Sequence, residues 1–165
     1  TGYVHKPYPR IYALLARHAG FDSALIVRGV EGGVIPALSQ AGKVFHYRDR
    51  GEEQSVDFKP ADLDIDQLVR APRIPGEAAS GEDDSDPAEA MPETAAVAKA
   101  AAEAGMAALA GQPGPTRDSL VYGAALCLWH LGRHGSLRSA ADAVRGVLDR
   151  GKALEHFQRM CRVAR

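Results

Sequence analysis

The chain has 165 residues, 45% hydrophobic and 25% charged, which suits one domain with a core of its own. No apolar run approaches the roughly 18 residues that suggest a membrane span, and two cysteines, Cys127 and Cys161, are too few for a disulfide framework. The net charge of −1 hides an asymmetry: residues 1–51 hold seven Lys and Arg against three Asp and Glu, residues 52–93 three against thirteen, residues 94–132 two of each, and residues 133–165 eight against three.

The opening TGYVHKPYPR has neither signal-peptide character nor an initiator Met, so the chain is expected to begin inside a longer protein. Both cysteines fall in helical patterns, which predicts a reduced, cytoplasmic setting. Pro7 to Ala19 reads as a helix: Pro suits a first turn, Ile11, Leu14, Leu15 and His18 share one stripe, and Arg17 and His18 suit the negative end of the helix dipole. Gly20 reads as its C-terminal cap.

Ala24 to Val27 is a short, continuous apolar run that stops near Gly29, which predicts a strand buried on both faces, of the parallel type. Gly29, Gly32 and Gly33 follow, with Glu31 among them. Ligands of α/β sheets sit beyond the carboxyl ends of strands, so Gly29, Glu31, Gly32 and Gly33 are ligand-loop candidates, a tight turn being the alternative. Pro36 to Gly42 is rich in turn residues, and Lys43–Arg48 with Gln54–Phe58 predicts a hairpin around Gly51. Lys59 to Ile65 predicts one helical turn after its Pro.

Residues 76–92 read GEAASGEDDSDPAEAMP, with too little apolar surface to offset the entropy of ordering, which predicts a mobile acidic loop. Asp83, Asp84 and Asp86 lack the ligand spacing of a calcium loop, and no metal site is assigned to them. Glu93 to Ala110 predicts a helix whose packing face is Val97, Ala101, Ala104 and Ala108. Thr116 is the predicted cap of a helix over Arg117–Leu131, with Leu120, Val121, Ala124, Leu128 and Leu131 as its stripe. His130 and His134 lie four apart but lack a third ligand and are read as surface or helix-end residues. Ser136 caps a helix to Asp149 with Leu137, Ala140, Ala141, Val144 and Leu148 inward, and Leu154, Phe157 and Cys161 mark a last helix after Gly151. No nucleophile–base arrangement or P-loop is present, and catalytic residues are unassigned.

Three long stretches, HKPYPRIYALLARHAGFDSALIVRG, GPTRDSLVYGAALCLWHLG and SLRSAADAVRGVLDRGKALEHF, together with the order of elements, resemble the C-terminal part of the anthranilate phosphoribosyltransferase family, glycosyltransferase family 3. The resemblance runs over nearly the whole chain and is closer to a non-biosynthetic branch, some members of which bind nucleic acid. It implies an α/β fold over residues 1–165: one buried parallel-type strand, a hairpin and a C-terminal helical cluster. The N-terminal helical domain and the diphosphate-binding loop would lie upstream. It implies magnesium and phosphoribosyl diphosphate as cofactor and substrate only for an intact, active transferase. Where the family carries an Asp-Glu pair for magnesium, this chain has Val34 and Ile35 after Gly33, and apolar side chains offer no lone pairs to a hard cation. The segment alone is therefore expected to be inactive and to hold no cofactor or metal. The other implied reading is a nucleic-acid-binding protein on the same scaffold, with Arg138, Arg145, Arg150 and Lys152 as phosphate contacts. Expected partners are the upstream portion of the same protein, nucleic acid and a second copy in a homodimer, with no membrane.

Overall fold

A computed structural model describes residues 1–3, 8–30, 33–73 and 94–163. The acidic segment 76–92, including Asp83, Asp84 and Asp86, lies outside the described residues, as do Glu31 and Gly32. The described elements are α1 (Pro9–His18), β1 (Ala24–Val27), β2 (Gly42–Tyr47), β3 (Gln54–Phe58), a 3-10 turn (Pro60–Leu63), α2 (Thr94–Leu109), α3 (Pro115–His130), α4 (Leu137–Asp149) and α5 (Lys152–Val163). No helix among these residues is long and apolar enough to cross a membrane.

The three strands form one sheet in the order β1-β2-β3, and both pairings are antiparallel. β1 is thus not the parallel-type strand its apolar run predicts. The run has another cause: both faces of β1 are covered. Leu25 and Val27 face the α3–α4 side with Val44, Phe58, Leu63, Val121 and Leu126, whereas Ala24 and Ile26 face α1 with Tyr3, Ala13 and Tyr47. An antiparallel strand buried on both sides carries the same continuous apolar signature as a parallel one. The parallel element among the described residues is a single bridge, Gly2 with Val27, bracketed by Tyr3 N–H donating to the Val27 carbonyl (3.1 Å) and Val27 N–H to Thr1 (2.9 Å).

The hairpin pairs Val44 with Val56 and His46 with Gln54. At its open end Gly42 faces Phe58, whose ring would lie 2.7 Å from any Cβ at position 42, so glycine there makes room for the aromatic. Asp49 and Arg50 hold positive φ in the turn, and Arg50 is tied down by the Asp22 carboxylate at 2.7 Å.

α1 covers the sheet with its small side. Pro9 and Ala13 are buried, whereas Ile11, Leu14 and Leu15 of the predicted stripe are exposed, Leu14 at 64%. Small residues let the helix come close to Ile26 and Tyr47, which leaves the large ones outside. Arg17 fixes it further, donating to the Arg50 and Gly51 carbonyls with its guanidinium 4.2 Å over the Tyr47 ring.

The remaining helices form the third layer. α2 turns Val97, Ala101, Ala104 and Ala108 inward as predicted, and Ala108 is buried. α3 packs between α2 and α4 and is covered on more than one side, so its buried set is Val121, Tyr122, Ala125, Leu126 and His130. Leu120 and Leu131 of the predicted stripe are exposed. Its cap is also corrected: Gly114 precedes Pro115 at the first helical position, and Thr116 lies inside the helix. Ser136 does cap α4, accepting from the Ser139 N–H at 3.1 Å. Ala140, Ala141 and Leu148 are buried, with Leu137 and Val144 packed against the same core. α5 follows Gly151 but buries none of its residues, and Phe157 is 45% exposed. Cys127 and Cys161 are free thiols at the surface of α3 and α5.

Candidate functional site: a cationic cleft beyond the first strand

An open cleft of about 620 Å³ lies at the carboxyl end of β1. Arg28 and Gly29 border it as β1 ends, and residues of the 36–43 stretch line it together with Asp57, Phe58, Lys59 and Asp62. Phe45, with the buried Tyr3 edge to face behind it at 6.3 Å, lines it as well, as does Arg70. The rim segments are fixed to each other: Leu38 N–H donates to the Arg70 carbonyl at 2.9 Å.

Gly29 is one of the ligand-loop candidates that reaches this cleft, and its role is steric. The chain after it folds back, with Val30 N–H on the Ile35 carbonyl (2.8 Å) and Gly33 N–H on the Val30 carbonyl (2.9 Å). A Cβ on Gly29 would stand 1.9 Å from the Gly33 oxygen, a separation no packing permits. Gly33 therefore backs Gly29 rather than lining the cleft, and Val34 and Ile35 are exposed at 59% and 47%. The tight-turn reading accounts for Gly29 and Gly33; Glu31 and Gly32 lie outside the described residues.

Four cations and two carboxylates line the cleft. Lys43 is neutralised by Asp57, its cross-strand partner, at 3.3 Å. The Asp62 carboxylate accepts the Lys59 backbone N–H at 3.0 Å and so caps the 3-10 turn. Arg28, Lys59 and Arg70 are exposed, and among the described residues none of their side chains meets a carboxylate. Burial pushes the Tyr3 phenol above its usual range, while Arg28 and Lys43 pull the other way, which places two positive charges near its ring. The arrangement offers positive charge beside the half-buried Phe45 ring, suited to holding a phosphate-bearing ligand.

The basic residues of α4 and α5 do not join this cleft. Arg138 and Arg145, one above the other on α4, both reach the turn below it. Arg138 donates to the Asp62 carbonyl (3.2 Å) and pairs with the Asp64 carboxylate. Arg145 donates to the Leu63 carbonyl and meets Asp142 at 3.2 Å, with its side chain only 18% exposed. Arg150 lies over Gly146, its guanidinium 3.2 Å from where a Cβ would stand, and Lys152 is exposed at the start of α5. Two of the four predicted phosphate contacts are thus engaged in holding the fold.

Arg28, Lys59 and Arg70 escape sequence reasoning because they stand far apart in the chain and on different elements. A signal existed for two of them: Arg28 directly precedes the glycine loop, and Lys59 directly precedes the predicted turn. Among the described residues no group of three or more His, Cys, Asp and Glu gathers as a metal site would require. No protein-family model matches the chain, and no curated protein matches it.

Proposed function

We propose that the chain is the C-terminal part of a phosphoribosyltransferase-like protein, of the glycosyltransferase family 3 kind, that works by binding nucleic acid rather than by transfer. The observation that carries this reading is the cleft, where Arg28, Lys59 and Arg70 present three cations without a carboxylate partner among the described residues. Each such cation can neutralise a backbone phosphate and release its counterions. The half-buried Phe45 ring stands beside them as the aromatic surface open to an unpaired base, with the buried Tyr3 packed edge to face behind it. Arg150 and Lys152 remain available as outer contacts. The transferase reading has less support: at the loop where the resemblance expects magnesium-holding carboxylates, Val34 and Ile35 offer none.

The test is a salt titration of labelled single-stranded DNA. Three phosphate contacts predict a slope of log affinity against log salt near −2, at about −0.7 per contact. Changing Arg28, Lys59 and Arg70 to Glu together removes most of that slope for every sequence alike, since phosphate contacts do not read bases. Wild-type affinity that is undetectable, or a slope unchanged in the triple variant, refutes the proposal. Calorimetry with magnesium and phosphoribosyl diphosphate tests the other reading, for which micromolar, magnesium-dependent binding is the supporting result.

A further inference from the structure

His46 and His130 are buried against each other, 4% and 6% exposed. His46 comes from the middle of the sheet and His130 from the last turn of α3, so their contact joins the two layers. The ring centroids are 5.4 Å apart and the planes nearly perpendicular, at 86°. His46 also lies 4.8 Å from the Trp129 ring. Among the described residues, neither nitrogen of His46 nor Nδ1 of His130 has a hydrogen-bond partner. Buried polar atoms without partners are uncommon and call for a cause.

Arg48 faces the pair as a cation, and Glu52 lines a small pocket with His46 and Arg48 without an ion pair to either ring among the described residues. Arg48, two residues along β2, donates to the Trp129 carbonyl at 2.7 Å, and its guanidinium lies 5.4 Å from the Trp129 ring. No carboxylate among the described residues pairs with either imidazole. The C-terminal end of a helix by itself favours a cation at His130. Burial outweighs it and, with the charges of His46 and Arg48, lowers that imidazole to about 4. Burial first and Arg48 second lower His46 as well.

We propose that the His46–His130 contact is an acid-sensitive joint between the sheet and α3, shut while both rings are neutral and opened when either takes a proton. A proton on either ring creates a buried cation beside Arg48 with no carboxylate ion-paired to it among the described residues, and burial of an unpaired charge is strongly unfavourable. The sign follows from proton uptake. In the open or unfolded state an imidazole titrates near its ordinary value, whereas in the shut state it does so lower. Between those values the open state binds more protons, so stability is full above the ordinary histidine range and is lost as pH falls toward 4.

Trp129 is the single tryptophan and sits on the joint, so its fluorescence reports the contact directly. Urea unfolding of the chain, followed by Trp129 emission and by far-ultraviolet circular dichroism, is compared at pH 8 and pH 5. The expected result is at least about a tenfold fall in the folding constant at pH 5, cut to less than a third of that fall in His130→Leu. A wild type with no fall, or a fall undiminished in both His130→Leu and His46→Leu, overturns the proposal. Nitrogen–proton correlation spectra of the wild-type imidazoles at pH 6 keep it falsifiable should both variants fail to fold: neutral rings at positions 46 and 130 support it, and charged rings overturn it.

Discussion

Replacing Arg145 by Met tests whether the basic face of α4 serves the fold or a ligand. The arginine donates to the carbonyl of Leu63, a residue with no exposure, and so holds the 3-10 turn against α4. A hydrogen bond from a charged donor contributes about 2 kcal/mol net. The contact with Asp142 adds little, because that carboxylate is 60% exposed and surface pairs contribute about 0–1 kcal/mol. Methionine keeps much of the apolar stem, so the expected loss is about 2 kcal/mol, which for a chain of this length lowers the melting temperature by about 6 °C. Arg150→Met, on an exposed residue, is the control and should stay within about 0.5 kcal/mol of wild type. Thermal melts and urea midpoints by circular dichroism make the comparison. Equal melting of Arg145→Met and Arg150→Met would refute the structural role. An Arg145→Met protein that keeps its stability yet loses DNA affinity would return the residue to the phosphate-binding surface.

Other substitutions separate steric need from composition. Gly29→Ala should cost about 3 kcal/mol, because its Cβ collides with the Gly33 backbone, whereas Gly135→Ala, with open space around it, should be nearly neutral in the same urea titration. Ser136→Ala removes the cap of α4 and should lower stability by about 1 kcal/mol, read from the urea midpoint at constant slope.

The parts of this molecule legible in its sequence are those settled within a few residues. β3 begins and ends where Gln54 and Phe58 predict, Ser136 starts α4 because its hydroxyl meets an N–H three residues on, and the small face of α2 follows from helical spacing alone. Periodicity also showed that β1 would be covered on both sides. It carried no information on strand direction, since a doubly buried antiparallel strand reads like a parallel one. Packing decided which face of α1 turns inward: Ala13 and Pro9 let the helix approach the sheet, so the larger stripe of Ile11, Leu14 and Leu15 faces out. The site depended on tertiary structure most of all. Arg28, Lys59 and Arg70 become one cleft, and Arg138 and Arg145 lose their apparent freedom to the turn at 60–63, because electrostatic partners are set by distance in space. His46 and His130 carry no mutual signal along the chain; only the packing of α3 on the sheet brings two imidazoles into contact and buries them.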